Sequence, residues 1–256
     1  MMNDIVLQIY RSLKNTLRQP AAVIPNIAIS LFFLFVYNSG LSSVASIPGF
    51  KGSYLAFILP VSIVSAAIGG AGLSGQSIIR DLESGYFVKM LLTPAKRLGL
   101  IWGPMFAGAV VLVVQVILIV LVGILLGLSS ATGILGLAMV IFFAFLWGMA
   151  FAGYAAFMAL RTRNAAAAQA ATFAFFPLIF LSSTFVPKEF ITVQWLKVAA
   201  VINPTTYVFD AMRALLIDGW ESKPILIGLA VMFGFATLTG VLALWAARQA
   251  TRLASA

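Results

Sequence analysis

The chain lacks cysteine and histidine and carries few charges. Its 256 residues include no Cys and no His, which excludes disulfide bonds, thiolate nucleophiles, imidazole bases and most zinc or haem ligation. Only 9% of the residues are charged and 62% are hydrophobic, whereas in soluble domains about a quarter are charged and roughly half are apolar. These proportions predict an integral membrane protein whose main solvent is lipid.

Long apolar runs are abundant, and their lengths predict an all-α protein with six transmembrane helices. A hydrocarbon core about 30 Å thick requires roughly 20 apolar residues in a helix. Runs of that length lie near 22–45, 54–76, 100–127, 132–160, 166–186 and 223–247. The whole chain, residues 1–256, is therefore interpreted as a single transmembrane domain.

An amphipathic helix is predicted at the N-terminus, over residues 2–19. Ile5, Ile9, Leu13 and Leu17 recur every four residues, so they share one helical face and leave the basic side chains elsewhere. The stretch has no apolar run followed by a small-residue cleavage site, so it is not read as a signal peptide. It is expected to lie along the cytoplasmic membrane surface, with an ordinary solvated helix as the alternative.

Basic residues sort to one side of the predicted membrane. Six spans place both termini on the same side of the membrane. That side has eleven of the sixteen Lys and Arg and three acidic residues, a net charge of +8. The other side has five basic and four acidic residues, a net charge of +1. Because cytoplasmic loops are the more basic, both termini are predicted to be cytoplasmic in a multi-pass protein of the cell membrane. The sorting also accounts for the basic balance without nucleic acid.

A glycine-rich stretch at the end of the second predicted span imitates a phosphate-binding loop. Residues 70–77 have the P-loop glycine spacing, but Gln76 occupies the position of the phosphate-binding lysine, and the stretch ends a span instead of a strand. Close helix packing through small residues is the better interpretation, as it is for the GxxxG pair Gly123 and Gly127 in the third span. The chain is therefore predicted to hydrolyse no ATP itself.

The predicted spans contain almost no ionisable residues, and Gln115 and Gln169 are their notable polar side chains. Transporters coupled to protons or ions need charges near mid-membrane. A transporter of this composition is expected to take its energy from a partner protein at its cytoplasmic surface. The spans also lack the paired carboxylates or nucleophile and base that a membrane-embedded enzyme needs.

A cytoplasmic segment over 77–99 is too long to be a simple turn. Residues 80–97 read RDLESGYFVKMLLTPAKR. Glu83 and Gly85 can begin and turn a short helix, and Pro94 can end it before a basic pair. Such a helix would be a compact knob for a groove on a soluble partner. The alternative is a solvated loop that joins two spans.

A second long segment, 187–222, is predicted to form an external re-entrant helical hairpin before the last span. Asn203 and Pro204 break it into two short helices, each below the length that spans a membrane. Asp210 and Arg213 lie three residues apart on the second helix and can pair on one face. The alternatives are a helix break with a stabilising ion pair and an outer gate over a substrate path.

Both segments resemble one known family. The order of acidic residue, glycine, apolar helix, Leu-Thr-Pro and basic pair resembles the cytoplasmic coupling region of the type 2 ATP-binding-cassette (ABC-2) exporter permeases. Phe185-Val186-Pro187, followed by Asn-Pro-x-x-Tyr and Asp-x-x-Arg over 203–213, is similar to the family's segment before its last span. With the six-span layout, the resemblance covers nearly the whole chain. The short chain without a large external domain looks closest to the branch that exports drugs and antibiotics.

The resemblance implies a permease subunit driven by two soluble ABC ATPase subunits and paired with a second permease copy, identical or related. It implies no cofactor on this chain, with ATP and Mg on the ATPases. The residues implied in ATPase coupling are Glu83, Gly85, Phe87, Leu91, Leu92, Thr93, Pro94 and Arg97. Those implied in an external gate are Phe185, Pro187, Asn203, Pro204, Tyr207, Asp210 and Arg213.

The expected cargo is an amphipathic or lipophilic molecule such as a drug, an antibiotic or a lipid-like compound, because the spans are rich in aromatic and Met side chains and poor in charges. Polysaccharide or sodium export stays open within the family, and the sequence does not decide between export and import. The alternative from another class is a non-transporting membrane scaffold or assembly factor.

Overall fold

A computed structural model of the chain describes residues 2–18, 20–86, 89, 97–185, 187 and 191–254. This described part is mostly helical and has no strand, which confirms the predicted all-α class. The helices are α1 (Met2–Leu17), α2 (Pro20–Leu41), α3 (Tyr54–Glu83), α4 (Arg97–Leu125), α5 (Gly133–Thr162), α6 (Ala165–Phe173), α7 (Phe176–Phe180), α8 (Gln194–Ile202), α9 (Pro204–Arg213) and α10 (Ser222–Ala254). A 3-10 turn, Ser42–Ser46, follows α2, and a π-helical turn, Ala214–Asp218, follows α9.

Among the described residues, five helices are long and apolar enough to cross a membrane. The candidate spans are Val23–Ser46, Tyr54–Glu83, Ile101–Leu125, Gly133–Thr162 and Ser222–Gln249. Each corresponds to one of the predicted spans. The second is longer than predicted, because α3 continues past residue 76 to Glu83 and includes the start of the predicted coupling segment.

The predicted fifth span, 166–186, is a broken helix instead of a continuous one. α6 and α7 together cover Ala165–Phe180, which is shorter than the long helices. The break lies just before Pro177, which has no N–H to donate to the carbonyl of Phe173 and so ends α6 there. The six-span count therefore stays a prediction, with five long helices and one interrupted apolar segment in the structure.

The interrupted segment nevertheless runs beside α3 in the opposite direction. The side chain of Ala168, in α6, lies next to Gly75 in α3. Further along, Arg213 donates to the carbonyls of both Ser183 and Phe57, and Phe57 lies in the first turn of α3. The segment thus accompanies α3 from its second half back to its start.

Helix α3 is the centre of the molecule and packs against α2, α4, α5 and α6. It is apolar on all sides, which is the pattern of a buried helix. In its most apolar stretch 89% of the residues are buried, against 11% for the first candidate span, which includes most of α2. α3 is therefore the core helix, whereas α2 leaves most of its apolar surface exposed.

The glycines of the P-loop-like stretch lie inside α3 and serve close packing. A Cβ at Gly75 would lie 3.2 Å from the carbonyl oxygen of Ala155 in α5. A Cβ at Gly72 would overlap the side-chain amide of Gln169 in α6. The predicted GxxxG pair is different, because Gly127 lies beyond the end of α4 in a turn with φ 93°. Gly123 and Gly127 therefore do not form one helix-packing face.

Helix α1 forms where it was predicted, and the face that it turns towards the protein is polar. Gln8, Ser12 and Thr16 are buried, and α1 packs on α4, where Gly103 would bring a Cβ within 3.3 Å of the Gln8 backbone. Val6, Leu7 and Tyr10 are exposed. Polar side chains thus face the protein, and several apolar ones face outward, as in a helix whose outer surface meets lipid.

Candidate functional site

The residues predicted to be functional gather at the two ends of α3. The helix has 30 residues, which corresponds to a length of about 45 Å. We call the two regions the Tyr54 end and the Asp81 end. The predicted gate residues lie around the first, and the described part of the predicted coupling segment follows the second.

At the Asp81 end, an ion pair joins α1 to α3. Arg11 donates from both terminal nitrogens to Asp81, at 2.5 Å and 3.3 Å to the two carboxylate oxygens. Bidentate, charge-assisted bonds of this kind are the stronger and more directional ones. The same guanidinium lies 3.5 Å from the ring centroid of Tyr86, and Gln8 donates to the Tyr86 hydroxyl at 3.1 Å. α1 therefore contacts both the last turns of α3 and Tyr86, three residues beyond its end.

A tight turn ends α3 immediately after these contacts. Gly85 has φ 68°, and its N–H donates to the carbonyl of Leu82 at 3.2 Å. A glycine in the left-handed conformation is the usual residue just past a helix C-terminus. The prediction that Glu83 begins a short helix is wrong, because Glu83 is the last residue of α3. The turn predicted at Gly85 is present, and Lys89 N–H donates back to its carbonyl at 3.0 Å.

The remaining coupling residues lie between the Gly85 turn and the first residue of α4. Phe87, Leu91, Leu92, Thr93 and Pro94 lie outside the described residues. Arg97 is the first residue of α4, and the structure describes its backbone but not its side chain. The predicted apolar knob therefore stays a prediction, bounded by the Gly85 turn and the start of α4.

At the Tyr54 end, Arg213 is buried at the end of α9 and joins three segments. Its Nε donates to the Phe57 carbonyl of α3 at 2.9 Å. Its terminal nitrogens donate to the carbonyl of Ser183 at 2.5 Å and of Thr184 at 3.1 Å, in the turn after α7. The guanidinium also lies 3.4 Å from the centroid of the Phe57 ring. One side chain thus connects the hairpin, the interrupted segment and the core helix.

The predicted pairing of Asp210 with Arg213 is electrostatic. Burial lowers the pKa of Arg213 to about 9, and the charge of Asp210 acts in the opposite direction. The guanidinium therefore stays protonated at neutral pH. The hydrogen bonds described above go to backbone carbonyls, so Arg213 acts chiefly as a donor to other segments.

The predicted hairpin has its break where the sequence places it. Asn203 accepts from the Thr205 N–H at 3.0 Å and so caps α9, and Pro204 is the first residue of that helix. Asn203 also donates to the carbonyl of Leu178, in α7, at 2.5 Å. The Tyr207 hydroxyl donates to the Val201 carbonyl of α8 at 2.7 Å. These residues shape the hairpin and fasten it to α7.

A cavity of about 480 Å³ lies beside Arg213 at this end. Its lining residues are Gly49, Phe50, Lys51, Phe57, Ser183, Pro187, Asp210, Arg213, Ile217, Asp218, Glu221 and Pro224. Lys51 and Asp218 form an ion pair at 3.6 Å in its wall. Phe185 lies behind the lining, where its carbonyl accepts from the Tyr54 hydroxyl at 3.4 Å and its ring packs on Tyr37. The cavity combines aromatic surface with charges of both signs.

Sequence reasoning missed several residues that the structure brings into these sites. Arg11 and Tyr86 complete the Asp81 end, and Phe57 and Ser183 hold Arg213 at the Tyr54 end. The Arg213 and Phe57 pair is separated by 156 residues, so no local spacing announces it. For Arg11 the available signal was that the sequence places it on the same predicted side of the membrane as Asp81.

Comparison with known proteins identifies the family of the chain. The family model of the ABC-2 type transporter matches residues 4–217. The chain is 27% identical to a protein of Cyanophora paradoxa that bears the name transport permease ycf38, over 77% of this chain and 69% of that protein. It is 26% identical to the daunorubicin resistance ABC transporter permease protein DrrB1 of Streptomyces coeruleorubidus, over 64% of this chain and 58% of that protein. The chain therefore belongs to the ABC-2 type transporter family.

Proposed function

We propose that this chain is the membrane-spanning permease subunit of an ATP-driven exporter, with the Asp81 end in the cytoplasm and the Tyr54 end outside. Membership of the ABC-2 family supports a transport subunit. In this proposal ATP and Mg bind to two separate ABC ATPase subunits, and the chain itself hydrolyses nothing. A second permease copy, identical or related, completes the pathway across the cell membrane.

The observation that carries the proposal is the position of α3 between the two sites. Its first turns touch Arg213 and the external cavity, and its last turn holds Asp81 and the Gly85 turn. The helix between them is buried almost throughout. A packed helix moves as one body, so a push on the residues after Gly85 would reach the hairpin at the other end.

ATP binding would draw the ATPases together and press on the segment that follows Gly85. The predicted knob, from Phe87 to Pro94, would receive the force, and α3 with α1 attached would carry it. At the opposite end, the bonds of Arg213 to Phe57, Ser183 and Thr184 would pass the displacement to the hairpin. The hairpin would then open or close the exit.

The cargo class we propose is an amphipathic or lipophilic compound, such as a drug, an antibiotic or a lipid-like molecule. The name of the Streptomyces coeruleorubidus relative, a daunorubicin resistance permease, supports that class. The cavity at the Tyr54 end supports it too, because Phe50 and Phe57 offer aromatic surface beside the charges of Asp210 and Arg213. Aromatic faces and nearby charges together suit a molecule with an apolar body and a polar group.

Single-cysteine cross-linking tests the coupling role directly. Ser84 is exposed in the turn after α3, and the natural chain has no Cys, so S84C supplies a unique thiol. With a candidate ATPase and a bifunctional reagent, we expect a cross-link from S84C to the ATPase. ATP hydrolysis should appear when the ATPase is added and not with the purified chain alone. Vanadate-sensitive hydrolysis by the contaminant-free chain would refute the division of labour.

Paired substitutions at Gly85 test whether the turn transmits force. Gly85 has φ 68°, and a Cβ there would meet nothing within 4 Å, so G85A acts through backbone strain of about 1–2 kcal/mol. Asn tolerates the left-handed conformation, so G85N is the matched control. We expect G85A to lower drug export while G85N retains it, with equal membrane levels. If G85A and E83A export at the wild-type level and S84C forms no cross-link, the segment has no coupling role and is only a connecting loop.

A further inference from the structure

A second cavity lies between α1 and α3 at the Asp81 end and has a strongly basic lining. Its volume is about 320 Å³. The lining residues are Arg11, Asn15, Arg18, Ser77, Arg80, Asp81 and Ser84. The described lining residues thus provide three guanidinium groups and one carboxylate, a net charge of +2.

The arginines reach this cavity from two helices. Arg11 and Arg18 are seven residues apart on the α1 side, and Ser77, Arg80 and Ser84 recur at helical spacing along the end of α3, so each set shares a helical face. The carboxylate of Asp81 is already bonded through both oxygens to Arg11. Among the described lining residues Asp81 is the one carboxylate, so the three arginines carry two more charges than it can balance.

The chemistry of the lining is that of a phosphate site. Guanidinium groups bind phosphate oxygens through paired N–H donors, and the hydroxyls of Ser77 and Ser84 can donate to the same oxygens. Basic pockets between membrane helices on the cytoplasmic side hold the headgroups of anionic lipids. We propose that this cavity binds the phosphate group of an anionic phospholipid.

The surroundings favour a lipid over free phosphate. Arg18 lies two residues before α2 begins at Pro20, and Ile24 and Ile29 of α2 are exposed. Leu7 of α1 is exposed as well. A phosphate held at Arg18 would thus lie at the edge of apolar helix surface that lipid chains can cover. A free phosphate ion would use the arginines but gain nothing from these side chains.

A bound headgroup would influence the coupling region. It would neutralise the arginines that face each other across the cavity and bridge α1 to the end of α3, beside the Gly85 turn. Anionic lipid would therefore stiffen the connection through which we propose that force enters the permease. This regulatory consequence rests on the proposed function, whereas the binding itself does not.

The test measures lipid binding to the purified full chain without ATPase or ATP. Native mass spectrometry in detergent would compare phosphatidylglycerol with phosphatidylcholine of the same acyl chains, for the wild type and for R18Q, R80Q and the double variant. K14Q is the matched control, because Lys14 is an exposed basic residue of α1 outside the lining. We expect wild type and K14Q to prefer phosphatidylglycerol, and the double variant to bind it about thirtyfold more weakly.

Two results would overturn the proposal. Equal phosphatidylglycerol binding by wild type and R18Q/R80Q would remove the site. Displacement by inorganic phosphate, without preference for phosphatidylglycerol over phosphatidylcholine, would assign the cavity to free phosphate. Arg18 is exposed and lies beyond the end of α1, so R18Q keeps the test valid should R80Q fail to fold. A failure of export with lipid binding retained would refute the proposed function alone.

Discussion

Arg213 shows at the residue scale how a charge is accommodated at the border of an apolar protein. Only 6% of its surface is exposed, yet its donors meet three carbonyls, those of Phe57, Ser183 and Thr184. The planar guanidinium provides several donors in fixed directions, which a lysine ammonium cannot copy. The residue is therefore suited to join segments that approach from different directions.

Replacing Arg213 with methionine should destabilise the protein. The substitution would remove the donors to the buried carbonyls of Ser183 and Thr184, which lie outside the helices, at about 1–3 kcal/mol for each unsatisfied group, and we expect a total loss of at least about 2 kcal/mol. R213K should be intermediate, because one ammonium cannot reach all three carbonyls. Thermal unfolding in detergent, followed by the fluorescence of the five Trp residues, would measure both.

The matched control for this prediction is K51M, which removes a positive charge from the same cavity wall. The Lys51 side chain is 78% exposed and its partner Asp218 lies at 3.6 Å. Exposed ion pairs contribute about 0–1 kcal/mol, so K51M should unfold close to the wild-type temperature. An R213M protein as stable as K51M would show that the carbonyl contacts do not hold the hairpin.

At the scale of elements, the last helix is brought close to the hairpin by one glycine. Gly228 lies in α10, and a Cβ there would lie 2.7 Å from the carbonyl oxygen of Tyr207 and overlap the side chain of Ala211, both in α9. Backbone atoms cannot move away as the end of a flexible side chain can. The distance between α9 and α10 therefore depends on the missing side chain at Gly228.

Alanine at Gly228 should separate these helices, whereas alanine at Gly234 should not. Both glycines lie in α10, but a Cβ at Gly234 would meet nothing within 4 Å. G234A should be neutral or stabilising by up to about 1 kcal/mol, since alanine favours helix. G228A should cost about 1–3 kcal/mol through overpacking. Unfolding temperatures of the two variants in the same detergent would decide, and equal values would contradict the close approach.

Helix boundaries were predictable at this scale where lipid imposes them. The long helices lie near the predicted runs because backbone groups inside a bilayer must bond within the helix. The predicted span 166–186 is the exception, since Pro177 interrupts its ladder and short α6 and α7 replace one helix. The packing of α6 beside α3 compensates for the interrupted helix hydrogen bonds. A count of apolar residues does not reveal such packing.

For the whole molecule, we expect both termini on the cytoplasmic side. The net charge of +8 on the predicted terminal side, against +1 on the other, gives the direction under the positive-inside rule. Reporter tags at Met1 and Ala256 should both report the cytoplasm. A tag inserted after Ser129, between α4 and α5, should report the opposite side as the control. Tags at the two termini that disagree would leave an odd number of spans, as in the five long helices alone.

Sequence by itself determined the solvent of this protein, its helical class and its family. Apolar runs of spanning length, scarce charges and the order of residues over 80–97 and 203–213 are local properties, and lipid allows little choice of secondary structure for such runs. The break at Asn203 and the turn at Gly85 were likewise readable, because each depends on the conformational preferences of a few neighbouring residues.

Tertiary structure decided which residues meet. The bonds of Arg11 to Asp81 and of Arg213 to Phe57 join positions 70 and 156 residues apart, and the basic cavity between α1 and α3 exists because two separate helices end side by side. Tertiary structure also decided that α3 continues to Glu83, beyond the apolar run that predicted its span. Such contacts follow from how whole helices pack around α3, and packing depends on the shapes of distant surfaces that no local pattern records.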